Sequence, residues 1–271
     1  MNNLLIRGLT GVVFVGAILG SIFWHPLAAS VVFGIFMILG VIEFYTLFNK
    51  HENIDVSVGL GIASTIASLL IVTAGIYGLI PKSAIGILIF PLLFLTILIE
   101  LWRKKDHPIH NLSITLLGFV YVALPFLLLI YVSFSGNEQF PLLAGMFILI
   151  WSNDTFAFLT GSVIGKTKLI ERISPNKTWE GTIGGILMTI LAGALIGYYT
   201  DAYLYWTIAA GLIASTSTLG DLIESMMKRS LNVKDSGNLL PGHGGILDRF
   251  DATLFTVPFF LAWNFIYLLL F

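Results

Sequence analysis

The chain has 271 residues, 57% of them hydrophobic, with 27 glycines and only 11% charged residues, and its mean hydropathy is +0.93. Soluble domains carry about 45–50% apolar residues even with glycine counted, and about 25% charged ones, so a soluble globular fold is excluded, as is disorder. There is no cysteine, which removes disulfides, thiolate ligands and sulfur nucleophiles. The formal net charge of −1 is uninformative beside the placement of the charges, and no nucleic-acid partner is expected.

A membrane-spanning helix needs about 20 mostly apolar residues. Runs of that length, separated by charge, Pro and Gly, lie near 8–24, 27–48, 57–79, 83–102, 112–132, 141–163, 181–199, 203–223 and 252–270. They are too long, and too uniformly apolar, for barrel strands of alternating polarity. The expected fold class is therefore all-α: a polytopic integral membrane protein of about nine transmembrane helices. The first run, preceded by Arg7, resembles a signal peptide with Ala28-Ala29 as a cleavage region, but the next apolar run follows without a polar mature domain, and it is read as a span.

With nine spans, the N-terminus and the loops after spans 2, 4, 6 and 8 share one side. That side receives Arg7, Lys50, Arg103, Lys104, Lys105, Lys166, Lys168, Arg172, Lys177, Lys228, Arg229, Lys234 and Arg249, leaving Lys82 alone on the other. By the positive-inside rule the rich side is cytoplasmic. The expected location is the cytoplasmic (inner) membrane, multi-pass, with the N-terminus and the working face towards the cytoplasm. Residues 1–140 read as transmembrane helices of unassigned role. Residues 141–271 read as the catalytic region, because two polar loops, 164–180 and 224–251, interrupt its apolar runs there.

Asp154 sits inside the sixth run, in Trp151-Ser152-Asn153-Asp154-Thr155. A central acid costs about 2.5–3.5 kcal/mol on insertion scales and faces protein or a wet cavity. Glu43 and Glu100, near the cytoplasmic ends of their runs, read as structural. Asp221 and Glu224, spaced i, i+3, share a helix face, with Lys228 four residues beyond Glu224; Asp248 and Asp251 repeat the spacing. Carboxylate pairs at two helix ends suit a hard divalent cation shared with phosphate; charge pairing with the adjacent Lys and Arg is the plain alternative.

Pro241-Gly242-His243-Gly244-Gly245 precedes the last run. Glycines before a helix let backbone N–H groups approach an anion, and the helix N-terminus favours negative charge. Lys228, Arg229, Lys234 and Arg249 add charge-assisted donors. His243 has no second His or Cys at zinc-ligand spacing. In the other loop, Ser174-Pro175 reads as N-cap and first helical residue of the seventh span. Gly161 to Thr167 falls one residue short of a Walker loop and follows a helix, not a strand, so it is rejected, while Lys166, Lys168 and Lys177 stay as phosphate contacts.

Ser225, Lys228-Arg229, Lys234-Asp235, Pro241 to Gly245 and Asp248-Arg249-Phe250-Asp251 together resemble the signature of the phosphatidate cytidylyltransferases (CDP-diacylglycerol synthases). Ser174-Pro175-Asn176-Lys177-Thr178-Trp179-Glu180-Gly181 and Asp154 also look like family features. The resemblance implies reaction of CTP with phosphatidate, within the bilayer, to give CDP-diacylglycerol and pyrophosphate, dependent on Mg²⁺. On it, Asp221 and Asp248 are the main metal ligands, Asp251 and Asp154 the next choices and Glu224 a further one; a second cation could share the cluster. Asp221, Asp248, Asp251, Lys228 and Arg249 form the catalytic set. Lys166, Lys168, Ser174, Asn176, Lys177, Glu180, Arg229, Lys234, Asp235, His243 and the N–H groups of Gly244 and Gly245 form the substrate-binding set. A transporter would spread its charges through mid-membrane helices, whereas these gather in the final third; a CTP-using enzyme acting on another lipid, such as a polyprenol, is the nearer rival. Gly184, Gly185 and Gly193 permit close helix packing, within the chain or in a homodimer.

Overall fold

The computed structural model describes residues 3–134, 141–239 and 244–271, with the side chains of 3–7 and 9 set aside. The chain is a multi-pass membrane protein, and its helices follow the apolar runs: α1 Asn3–Trp24, α2 Pro26–Phe48, α3 Val58–Ile76, α4 Ala84–Arg103, α5 Pro108–Gly118, α6 Leu124–Ser133, α7 Leu142–Ile164, α8 Trp179–Tyr199, α9 Tyr203–Ser230 and α10 Leu247–Leu270. Among the described residues, seven helical stretches are long and apolar enough to cross a membrane, with α5 and α6 counted as one through a π-helical turn, Phe119–Ala123. Of the remaining two helices, α1 has a shorter apolar stretch, Thr10–Trp24, and α9 carries Asp221, Glu224, Lys228 and Arg229 in its last third. The π turn precedes Pro125, which lacks an N–H, and the wider i→i+5 bond of such a turn, Leu124 N–H to Phe119 O, keeps the helix continuous.

Along α4 the large side chains of Ile87, Phe90, Phe94, Leu98 and Leu101 are exposed. A continuous apolar stripe of this kind is untenable in water and suits acyl chains.

The chain divides into two compact units, one of residues 1–135 and 235–248, the other of 136–234 and 249–271. In the first, α2 is the central helix: Phe33, Met37, Val41 and Phe44 are fully buried, and it packs on α1, α3 and α6. Tyr45 crosses from α2 to give its hydroxyl to Thr115 O at 2.8 Å, its ring lying where a Cβ at Gly61 or Gly118 would stand. The loop before α3 is clasped to the α4–α5 corner. Asp55 pairs with Lys105 at 2.5 Å and Arg103 at 3.3 Å, and its N–H goes to Asn111 Oδ1 at 2.8 Å. Buried Glu100 is held by Arg103 at 2.6 Å and Asn111 at 2.8 Å, which fits its structural reading.

In the second unit α8 is sandwiched between α7 and α9 through small residues. A Cβ at Gly185 would lie 2.9 Å from Asn153 O of α7, and one at Gly193 would lie 2.6 Å from Trp206 O of α9. These two glycines therefore serve packing inside one chain. Tyr205, Trp206, Phe260, Trp263 and Tyr267 form an aromatic cluster of α9 with α10, tied by Tyr205 Oη–H to Asn264 Oδ1 at 3.1 Å.

Candidate active site

The loop after α7 folds as a hairpin that the apolar pattern did not predict. Strand β1, Lys168–Ile170, pairs antiparallel with β2, Ser174–Thr178. Ser174 and Pro175, expected as N-cap and first helical residue, lie instead in β2. The N-cap is Thr178, whose Oγ1 accepts the Gly181 N–H at 3.2 Å. The reason is local: Glu180, in the first turn of α8, turns back to accept the backbone N–H groups of Lys166 and Thr167, each at 3.1 Å. Trp179 N–H reaches Thr167 O at 2.9 Å, and Lys168 Nζ donates to Pro175 O at 2.6 Å. Thus Glu180 and Lys168, expected at substrate, hold the hairpin together, and the Lys166 side chain is exposed.

Between α7, β2, α8 and α9 lies a cavity of about 390 Å³, with Asn153, Asp154, Asn176, Lys177, Thr218 and Asp221 in its wall. The Lys177 ammonium pairs with the Asp221 carboxylate, and Ser225 Oγ donates to Asp221 Oδ1 at 3.2 Å. Asn153 gives Nδ2–H to Ser217 Oγ at 3.0 Å and Thr218 Oγ1 at 3.1 Å. Both hydroxyls have committed their protons to Ala214 O, which fixes the amide orientation. Asn153 Oδ1 is buried and accepts no hydrogen bond among the described residues. Asn153 and Thr218 were missed in the sequence; the signal was polar residues beside Asp154 and three before Asp221, inside apolar runs.

Asp251 lies within electrostatic reach of Asp221, Glu224 and Asp154, and Asp154 feels Lys177 and Arg249. The second unit therefore gathers four of the five expected carboxylates with two of the expected cations. Glu224 and Lys228 are a nearly buried i, i+4 pair at 2.5 Å, so the plain charge-pairing reading accounts for that contact. Arg229 donates to Val233 O at 3.1 Å beyond the end of α9, and Lys234 and Asp235 are exposed.

Asp248 belongs to the first unit. Its Oδ2 accepts Ser236 N–H at 3.0 Å and Gly245 N–H at 2.8 Å. The anion cradle expected at the start of α10 exists, but its occupant is the chain's own Glu43: Oε2 takes Ile246 N–H at 2.8 Å, and Oε1 takes Leu247 N–H at 3.0 Å and Ser236 Oγ–H at 2.5 Å. The Gly245 N–H expected to hold phosphate is thus committed to Asp248. Gly244 has φ +82°, in the left-handed region that favours glycine. His243, with Pro241 and Gly242, lies outside the described residues.

Among the described residues no three His, Asp or Glu side chains are close enough to make a full metal-ligand set. Magnesium commonly takes one or two carboxylates and completes its shell with water and substrate phosphate. The oxygen-only donors Asp154 and Asp221 on one cavity wall, one of them already holding an ammonium cation, fit that habit.

A model of the Cytidylyltransferase family matches residues 5–267. A phosphatidate cytidylyltransferase of Rickettsia bellii is 36% identical over 206 residues, 70% of this chain and 88% of that protein. One of Bacillus subtilis is 47% identical over 115 residues, 41% of this chain and 43% of its own. One of Staphylococcus aureus is 38% identical over 168 residues, 61% of this chain and 64% of its own.

Proposed function

The chain belongs to the cytidylyltransferase family, and on that premise we propose that it transfers the cytidylyl group of CTP to phosphatidate, giving CDP-diacylglycerol and pyrophosphate. The observation that carries the reading is the acid- and lysine-walled cavity among apolar helices: a place where a phosphate-bearing nucleotide meets the head of a lipid.

The chemistry asks little of a base. A phosphate monoester with a second pKa near 6 is largely ionised at neutral pH, so a phosphatidate oxygen attacks the α-phosphorus of CTP, a new P–O bond forms, and the bond to the bridging oxygen of the leaving pyrophosphate breaks. The barrier is the approach of two anions, lowered by positioning and by fixed positive charge. Lys177, paired with Asp221, transfers its ammonium to the incoming phosphates, and Arg249 supplies guanidinium donors. Asn176, beside Lys177 in the cavity wall, contacts the nucleotide, while Lys166, Lys228, Arg229 and Lys234 complete the basic surround. Asp221 and Asp248, with Asp251, Asp154 and Glu224 as further donors, would hold Mg²⁺. When bound, the cation supplies charge neutralisation on the triphosphate.

The acyl chains stay in the bilayer. Taking α1 and α9 as spans together with the seven apolar stretches gives nine, with the N-terminus and the 13-to-1 excess of Lys and Arg on the cytoplasmic side, where CTP is met.

Purified protein incubated with radiolabelled CTP, Mg²⁺ and phosphatidate should yield a labelled lipid. A parallel incubation with a prenyl phosphate should not; label appearing there alone would assign a different lipid acceptor.

A further inference from the structure

Glu43 is a carboxylate near the end of an apolar helix that runs Pro26–Phe48, where an acid needs partners to be tolerated. Among the described residues its hydrogen-bond partners are Ser236 Oγ at 2.5 Å, Ile246 N at 2.8 Å and Leu247 N at 3.0 Å. Ile246 and Leu247 stand at the N-terminus of α10, where backbone N–H groups lack helical acceptors and the dipole favours a negative charge. The same segment carries Asp248, whose Oδ2 takes the N–H groups of Ser236 and Gly245. Ser236 is therefore shared, its hydroxyl on Glu43 and its N–H on Asp248.

Glycine is required where Glu43 enters. A Cβ on Gly237 would lie 2.8 Å from Oε2, and one on Gly245 would overlap the carboxylate outright. Gly245 has an ordinary need for a missing side chain: clearance for a resident carboxylate from α2, rather than approach of a phosphate.

We propose that Glu43 is a positioning residue of the reaction: through Ser236 and the first N–H groups of α10 it fixes Ser236 and residues 245–247 in the shape that presents the Asp248 carboxylate. The inference rests on the reading of Asp248 as a cation ligand. The role assigned to Glu43 is exerted through the backbone on which Asp248 is mounted.

Glu43→Gln keeps the size and one acceptor oxygen but turns the other into a donor facing N–H groups. In purified protein, amide exchange at Ser236 and residues 245–247 should accelerate by tenfold or more. The Mg²⁺ concentration for half-maximal CDP-diacylglycerol formation should rise by about 10- to 100-fold, the range seen when partners that orient metal ligands are lost, with kcat at saturating Mg²⁺ much less affected. Ser236→Ala, which removes one of the three bonds and leaves the backbone donor, should shift both readouts in the same direction by less, and covers the case in which the Glu43 variant does not fold. Wild-type exchange in Glu43→Gln, or faster exchange with an unchanged Mg²⁺ requirement, overturns the proposal, as does a tighter Mg²⁺ or CTP response, which would make Glu43 a displaceable occupant of an anion site. Asp248→Asn serves as the separate control: a wild-type Mg²⁺ response there sinks the ligand reading by itself, while the exchange rates still decide whether Glu43 holds the segment.

Discussion

Lys177, on strand β2, and Asp221, nine residues before the end of α9, meet as an ion pair in the wall of one cavity. An apolar chain with 14 Lys and Arg and 15 Asp and Glu has thus set one of each against the other beside Asp154. The pair compensates both charges in the cavity wall, and on the proposed function Lys177 would exchange Asp221 for the phosphates of CTP.

Lys177→Met should therefore lower kcat/KM for CTP by roughly tenfold to a hundredfold, the equivalent of one charge-assisted hydrogen bond of about 1.5–3 kcal/mol. Steady-state kinetics at saturating phosphatidate reads it, and an unchanged kcat/KM would remove Lys177 from the nucleotide site.

Gly193 of α8 packs on the backbone of Trp206, where a Cβ would stand 2.6 Å from the carbonyl oxygen. A backbone neighbour cannot swing aside as a side chain would. Gly193→Val should lower stability by about 1–3 kcal/mol or more, as overpacking does, seen as a lower Tm in detergent. Gly211 of α9, where a Cβ would meet only the end of Ile190 at 3.7 Å, should accept Ala with little change.

The clasp at Asp55 gives a pH dependence. A hydrogen bond from Lys105, followed by the charges of Lys105 and Arg103, holds the Asp55 carboxyl below the ordinary aspartate range. A depressed folded-state pKa stabilises the fold above the ordinary value and loses that contribution as the pH falls through the lowered one. The side chain is more than half exposed, so the effect is local and small. Amide exchange in residues 50–57, corrected for the intrinsic rate, should rise between about pH 6 and about pH 3, and Asp55→Asn should abolish the difference; equal pH dependence in both proteins would rule out the clasp as its source.

The helices were legible because lipid imposes length and apolarity: the run 27–48 became α2, Pro26–Phe48, and the run 141–163 became α7, Leu142–Ile164. Hydropathy ended the eighth run at 223, whereas α9 continues to Ser230, since a helix does not stop where polarity begins; the i, i+4 pair Glu224–Lys228 carries it on. Asp154, Asn176, Lys177 and Asp221 were recognisable as unusual polar residues and do share a cavity. The hairpin was not legible, because strands of three and five residues leave no usable period, and Ser-Pro gave a competing helix-start signal. Glu43 was read as structural because nothing in the sequence near residue 43 reveals that its partners are residues 236, 246 and 247.

The most direct test of the account is formation of labelled CDP-diacylglycerol across a Mg²⁺ titration by Asp221→Asn and Asp248→Asn, each confirmed as folded and membrane-inserted. Losing a carboxylate that anchors the cation should lower the maximal rate by about a thousandfold in both, a barrier rise of several kcal/mol, with no recovery at high Mg²⁺. Near-normal turnover in either variant would contradict the claim that these two acids hold the cation for cytidylyl transfer.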